Sequence, residues 1–326
     1  MKFWYVPHST WKSRLLEPLS YVYRLGVFLH RFMFRIGLQK IHFFPVPIIV
    51  VGNITVGGTG KTPCVESLVL ALQQSGWRPG VVLRGYGGKV KKGALEVVGD
   101  ALPSVVGDEA LMLAQKGICP VVVGAKRVCA VNKLLDCHDC NVIISDDGLS
   151  HHAMDRDIEI LVVDAKRQFG NQKCLPAGPL RESMTRISSV NCVLMNGRVT
   201  TPFDRHPHVF DSHAQPIHFV SCLTGEVKES LEGKIHALAG IGHPEKFFSL
   251  LEHMGYHVAK THAYSDHYVF EKKDIQCSGA DYVIMTEKDA VKCRDFADQR
   301  HYFLKIQLHL SEEFKSFIIN LLEKVV

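Results

Sequence analysis

From residue 45 onward, short runs of consecutive apolar residues alternate with stretches of helical periodicity. The runs fall at 48–51, 81–83, 121–123, 142–144 and 160–163, and the helical stretches at 62–75, 109–116 and 126–135. Strands that are apolar on both faces and separated by helices predict a parallel sheet covered on both sides, with right-handed crossovers. Residues 200–215, rich in Pro, His and Asp and without a period, read as a connection. A second series follows, with runs at 235–239, 283–285 and 302–308, a helix at 244–254 and a last helix from Glu312. The pattern predicts an α/β protein of two α/β/α sandwich domains, at 45–205 and 206–326. It contains no internal repeat and no low-complexity segment.

Residues 1–44 differ in kind. From 18 to 38 the chain reads PLSYVYRLGVFLHRFMFRIGL. Pro18 suits the first turn of a helix. On that helix Ser20, Arg24, Arg31 and Arg35 share one stripe, while Leu25, Phe28, Leu29, Phe32 and Ile36 face elsewhere. A transmembrane span would carry arginines along its length at about 2.5–3.5 kcal/mol each near the centre. A signal peptide needs a small-residue cleavage site after its apolar core, and none is evident. A core helix would suit the broad apolar arc, but an amphipathic helix lying at a membrane interface suits the arginines as well.

Charge sharpens that reading. The whole chain carries +5, yet residues 1–44 alone hold seven Lys or Arg against Glu17. The positive excess is therefore confined to the arm, which points to an anionic surface. Composition is otherwise that of a globular protein, with 46% hydrophobic and 22% charged residues, which excludes disordered and fibrous classes. The ten cysteines are dispersed, as in a reduced, cytosolic chain. The pair Cys137 and Cys140 supplies at most half of a tetrahedral zinc site. No aromatic spacing resembles a nucleic-acid platform, and no obligate protein partner is evident.

The strongest local signal is the segment 48–62, IIVVGNITVGGTGKT. An apolar strand enters a glycine-rich loop, and Gly60-Lys61-Thr62 opens a helix, as a phosphate-binding loop requires. Backbone amides at Gly57, Gly58, Thr59 and Gly60 would wrap phosphate. Lys61 would reach the β- and γ-phosphates and Thr62 would hold Mg²⁺. Thr55 stands where the usual pattern begins with Gly. A second apolar strand ends in Asp146-Asp147, either of which would hold Mg²⁺. A guanine site is disfavoured, because 286–289, TEKD, has Lys directly beside Asp. These residues fit an ATP- and Mg²⁺-dependent kinase, or alternatively a P-loop ATPase acting as a switch or metallochaperone. Asp108, taken alone, reads as a helix N-cap.

Taken together, 52–63 (GNITVGGTGKTP), 84–88 (RGYGG), 107–110 (GDEA), 146–152 (DDGLSHH), 155–157 (DRD), 176–182 (PAGPLRE), Asp266-His267 and 286–289 resemble the tetraacyldisaccharide 4′-kinase family. The resemblance implies a P-loop kinase with a membrane-associated N-terminal helix at the cytoplasmic face of a Gram-negative inner membrane. The implied reaction moves the γ-phosphate of ATP to the 4′-hydroxyl of a tetraacylated disaccharide 1-phosphate, a lipid A precursor, giving lipid IVA. It further implies that Asp108 is the catalytic carboxylate, that His267 tunes it, and that Arg84, Arg181 and Glu182 lie near the site. Ser150 replaces the family's Gln, and Ser265 replaces the Pro before Asp266.

Overall fold

A computed structural model of the chain describes residues 2–6, 10–197, 199 and 203–326. The first series of strands is β1 (Ile48–Gly52), β2 (Pro79–Leu83), β3 (Leu95–Glu96), β4 (Val121–Val123), β5 (Val142–Asp146), β6 (Ile158–Asp164) and β7 (Cys192–Asn196). The second is β8 (Val209–Ser221), β9 (Val227–Lys228), β10 (Ile235–Ala239), β11 (Val258–Ala263), β12 (Tyr282–Thr286) and β13 (His301–Leu310). The helices are α1 (Trp11–Arg35), α2 (Lys61–Gln74), α3 (Pro103–Val106), α4 (Asp108–Gln115), α5 (Arg127–Cys137), α6 (Pro244–His253), α7 (Lys272–Ile275), α8 (Glu287–Cys293) and α9 (Glu312–Val325). Every apolar run read as a strand is one, because those side chains are buried on both faces of the sheet.

The two series share one 13-stranded sheet, ordered β11-β10-β12-β13-β8-β7-β6-β1-β5-β2-β4-β3, with β9 on β8. The expected connection at 200–215 is partly a strand. Residues 200–202 lie outside the described residues, but from Val209 the chain is β8. Its first residues pair in parallel with β7, from Val193↔Val209 to Asn196↔Ser212. The remainder pairs antiparallel with β13, and Pro216 sits at the register shift. A proline and a bulge break the alternation that marks a strand in sequence.

Two further features bind the halves. Helix α9 returns to the first half, where Phe314, Ile318 and Leu322 join the core cluster of Leu68 and Leu72 on α2. Lys116 and Lys305 bridge Glu66 and Glu287 in a largely buried tetrad, with Lys116 to Glu287 at 3.0 Å and Lys305 to Glu66 at 3.0 Å.

Helix α1 begins at Trp11, seven residues before Pro18, because the Thr10 hydroxyl caps it by accepting from the Ser13 amide at 3.3 Å. Pro18 therefore lies inside the helix. The helix docks through small polar groups: the Ser13 hydroxyl donates to the Ala177 carbonyl and the Ser20 hydroxyl to the Cys174 carbonyl, each at 2.8 Å. Leu15, Leu19, Val22, Leu25, Phe28 and Phe32 remain exposed. No helix among the described residues is long and apolar enough to cross a membrane.

Candidate active site

The carboxyl ends of parallel strands are where open α/β sheets bind ligands. Strand β1 lies between β5 and β6 and feeds the glycine-rich loop. At its end Gly60 adopts φ +90°, and a Cβ there would fall 2.1 Å from Asn196 Nδ2. That amide, at the end of β7, donates to the Thr59 carbonyl at 2.9 Å. Asn53 Nδ2 donates to the Thr59 hydroxyl at 3.2 Å. Two side-chain amides thus converge on Thr59 and fix the loop there. Thr55 is buried because 54–56 pairs with 179–181: the Val56 amide donates to Pro179 and the Arg181 amide to Ile54. Extended pairing, rather than a glycine turn, occupies the position where the usual motif starts.

Thr62 and Asp146 meet as their motifs predict. The Thr62 hydroxyl donates to Asp146 Oδ2 at 3.0 Å. Asp146 is 3% exposed and its Oδ1 has no partner among the described residues. Burial, reinforced by the Glu109 charge, raises its pKa against the pull of Lys61. Asp147 behaves oppositely. It takes a left-handed φ of 50° and turns its carboxylate to Arg181, whose Nη1 and Nη2 donate at 3.1 and 2.8 Å. Lys61 Nζ stands 3.6 Å away. Burial alone would raise the Asp147 pKa, but the Arg181 hydrogen bonds and the Lys61 charge outweigh it and hold the group well below the usual range. Two adjacent carboxylates are thereby split, one braced by cations and one with a free oxygen.

Asp108 comes from the far side of the cleft. It is the first residue of α4, after Gly107 at φ +89°, where a Cβ would strike the Tyr86 carbonyl at 2.5 Å. The glycines of 84–88 let that loop lie directly against the turn. The Asp108 carboxylate does not cap its helix; Oδ2 accepts from His267 Nδ1 at 3.2 Å. His267 itself sits at φ 59° in the loop after β11, with its ring 4.8 Å from that of Tyr86. Lys288 Nζ donates to His267 Nε2 at 3.4 Å and also to Asp266 at 3.1 Å and Glu109 at 3.2 Å. A donor at Nε2 places the ring proton on Nδ1, facing Asp108. Lys292 lies 3.8 Å from Asp108 and is anchored at 2.8 Å to Asp289. The fully buried Asp289 accepts from the Gly240 amide at 2.9 Å and the Thr286 hydroxyl at 2.6 Å. The TEKD segment, which the sequence marked as unlike a guanine site and as part of the family resemblance, is thus the scaffold beneath the Asp108–His267 pair.

The two edges close on one another. A Cβ on Gly242 would lie 3.6 Å from both the Gly58 amide and Asp266 Oδ2. Arg167, from the turn after β6, contacts His243 and the Gly58 carbonyl, and Lys246 contacts Asp164.

Not every expected residue converges here. Glu182 turns away from Arg181 and pairs with Arg31 of α1 and Arg186, each at 3.4 Å. Burial raises its pKa against those two arginines. It faces a cavity of about 880 Å³ under α1, lined by Arg24, Phe28, Arg31, His152, Arg156 and Arg181 among others. Arg84 is exposed beyond β2, near enough to Arg127 and His151 to oppose their protonation. Arg127 was not legible in sequence. It is buried and donates to the carbonyls of Asp146 at 2.9 Å and Gly124 at 3.1 Å, so it shapes the Asp146-Asp147 turn through the backbone. Asn53 sits inside the quoted loop motif; Arg127 and Asn196 belong to no motif, and only the fold brings them in.

Known proteins resemble this arrangement along its full length. A Tetraacyldisaccharide 4′-kinase of Nitrosococcus oceani is 42% identical over 325 residues, covering 99% of this chain and 94% of its own. That of Shewanella amazonensis is 42% identical over 340 residues, covering 99% and 95%, and that of Coxiella burnetii 40% over 325 residues, covering 100% and 95%. A crystal structure of "apo" form LpxK from Aquifex aeolicus in complex with ATP superposes with a TM-score of 0.82 at 26% identity, covering 95% of this chain and 99% of that one. The model of the family described as Tetraacyldisaccharide-1-P 4′-kinase matches residues 12–323. With the family model matching residues 12–323 and relatives at 40–42% identity over nearly the whole chain, this chain belongs to the tetraacyldisaccharide-1-P 4′-kinase family.

Proposed function

We propose that this chain transfers the γ-phosphate of ATP to the 4′-hydroxyl of tetraacyldisaccharide 1-phosphate, forming lipid IVA, with Asp108 as the group that accepts the hydroxyl proton. The observation that carries this reading is the Asp108–His267 pair, which brings a carboxylate oriented by an imidazole to the edge of a phosphate-binding loop. The name of the relatives supplies the acceptor, and the ATP-bound relative supplies the nucleotide.

In this reading the amides of Gly57, Gly58, Thr59 and Gly60 cradle phosphate oxygens and Lys61 sets the terminal phosphate in line. The donor set fits a hard cation: a hydroxyl and a buried carboxylate with an unpartnered oxygen. Thr62 and Asp146 would hold Mg²⁺, and Asp147 braces the turn through Arg181 instead. When bound with ATP, Mg²⁺ neutralises charge on the phosphoryl oxygens. His267 keeps Asp108 aimed by donating to it, and Lys288 fixes the imidazole tautomer. Arg84, exposed beyond β2, is assigned to acceptor phosphate.

The arm at 1–44 takes the membrane side, 45–205 the nucleotide, and 206–326 supplies His267. Four acyl chains make extraction of the acceptor costly, at about 0.8 kcal/mol for each exposed CH₂. An enzyme resting on the cytoplasmic face of the inner membrane avoids this. The exposed apolar side of α1, the arginines beside it and the cavity beneath it support such a seat for the lipid headgroup.

The test is transfer from γ-labelled ATP to the purified lipid acceptor in mixed micelles with Mg²⁺. Lys61→Ala and Asp108→Ala should each lose at least about a hundredfold. Folded wild-type protein that binds ATP and labels no lipid would overturn the assignment and favour a switch ATPase.

A further inference from the structure

The second half of the sheet gathers three soft ligands. His236 on β10, His262 on β11 and Cys277 after α7 bring one ligand atom each within 4.8 Å of one another. The register explains how. In the parallel pair β10–β11, Leu238 lies opposite His262, so His236 and His262 occupy the same face two residues apart along the sheet. Cys277 meets that face, with its Sγ 3.8 Å from His262 Nε2.

A second observation distinguishes this cluster from ordinary packing. His236 is 6% exposed, yet its Nδ1 is buried without a hydrogen-bond partner. An unpaired imidazole nitrogen in the interior costs about 1–3 kcal/mol, and a metal ion is one way to recover it. The spacing suits such an ion. Zn–N near 2.0–2.1 Å and Zn–S near 2.3 Å in a tetrahedron put ligand atoms about 3.3–3.6 Å apart. The Cys277 Sγ to His262 Nε2 separation of 3.8 Å is already close to this, and the remaining separations, up to 4.8 Å, would shorten by side-chain rotation on binding.

We propose that His236, His262 and Cys277 form a binding site for a zinc-class divalent cation, with the fourth position open to solvent beside the partly exposed His262. One thiolate and two imidazoles select zinc and its relatives over Mg²⁺. Binding releases the Cys277 proton to the solvent as the sulfur becomes the metal ligand. Burial raises the Cys277 thiol pKa, and the nearby Lys260 and Arg300 offset this only in part; burial first, and then nearby lysines, keep both imidazoles toward the neutral, metal-binding form.

The site would also act on the fold. His262 and Cys277 are 15 positions apart and bracket the segment that carries Asp266 and His267. A metal joining its two ends closes that loop and lowers its conformational freedom. The site itself does not depend on the kinase assignment, so the two stand or fall separately.

The full-length chain, stripped with chelator and kept reduced with a non-thiol reductant, is titrated with Co²⁺. The expected result is a sulfur-to-cobalt charge-transfer band in the near ultraviolet, saturating at about one Co²⁺ per chain. Zn²⁺ should abolish it and excess Mg²⁺ should not. Cys277→Ser should lose the band, His262→Ala should weaken binding at least about tenfold, and Cys137→Ser should change nothing. Should Cys277→Ser fail to fold, the half-exposed His262→Ala decides alone. A spectrum unchanged through several equivalents, or a band that survives these two variants, would overturn the site.

Discussion

Replacing Asp146 by Asn separates what this residue does for the fold from what it does for nucleotide. The side chain is 3% exposed, accepts from Thr62 at 3.0 Å and leaves Oδ1 unpaired. Asn is isosteric, and its carbonyl can keep the Thr62 bond. Its NH₂ then occupies the orphan position, at about 1–3 kcal/mol for a buried donor without a partner. Against that, a buried charge whose protonation is favoured by desolvation and by Glu109 is removed, a relief of similar size. The net change in the stability of the free protein should lie within about 1 kcal/mol. The change with ligand is different. At a hundredfold excess over its dissociation constant, Mg²⁺·ATP stabilises the wild type by about 2.7 kcal/mol, and the variant should gain little of this. Lipid phosphorylation should fall by about 10²–10³. Thermal melts with and without Mg²⁺·ATP, beside initial rates across a Mg²⁺ series, measure both. A variant within tenfold of wild type at saturating Mg²⁺ would refute Asp146 as the metal contact. Equal loss of melting temperature with and without ligand would refute the claim that its role is not structural.

Two further outcomes follow from the same geometry. Phe28→Ser with Phe32→Ser removes exposed aromatic surface from α1 while sparing Ser13, Ser20 and Tyr23, which hold the helix to 174–181; co-flotation with anionic liposomes should drop at least about tenfold with the melting temperature unchanged, and undiminished flotation would rule out this face as the seat. His151 and His152 have pKa values lowered to about 4 and about 3, chiefly by burial and then by neighbouring arginines. The unfolded chain therefore binds protons first as pH falls, so stability should decline from about pH 6.5 down to about pH 4, by up to about 1.4 kcal/mol per pH unit for each histidine; a urea series between pH 7 and 4.5 measures the slope, and His152→Gln should reduce it.

Truncating the arm is a poorer experiment than its sequence suggests. Residues 18–38 read as a separable amphipathic helix, but Tyr23 donates to the Arg181 carbonyl at 3.0 Å and Arg31 pairs with Glu182. Both partners adjoin the phosphate-loop pairing at 54–56. Deleting the helix would expose buried serines' partners and disturb the site as well as the membrane contact.

Much of the first half was legible because its signals are local. An apolar run followed by glycines and Gly-Lys-Thr needs only the geometry of a strand, a turn and a helix start. Asp146 at a strand end is of the same kind. The second series was legible at β10 and β12 for the same reason, as buried parallel strands, and at β13 through its apolar run, although that strand pairs parallel on one side and antiparallel on the other. Strand β8 was not, since its pairing changes from parallel to antiparallel and passes through a bulge at Pro216. No window on the sequence carries information about which strand lies beside it.

The roles of neighbouring residues divide along that line. The sequence by itself determined that a phosphate loop exists, that two aspartates end a nearby strand, and that a basic apolar arm precedes them, because each depends on residues adjacent in the chain. It could not say which aspartate faces a metal. The proposal that it is Asp146 rests on Arg181, 34 positions from Asp147, which engages Asp147 while Asp146 Oδ1 has no partner among the described residues. Nor could it separate Arg181 from Glu182, whose side chains leave opposite faces of one short extended segment. The Asp108–His267 contact spans 159 positions and joins two halves of a sheet. Only the tertiary structure decided it, because hydrogen bonds and charges act through distances of a few ångströms in space while the sequence records separation along the chain.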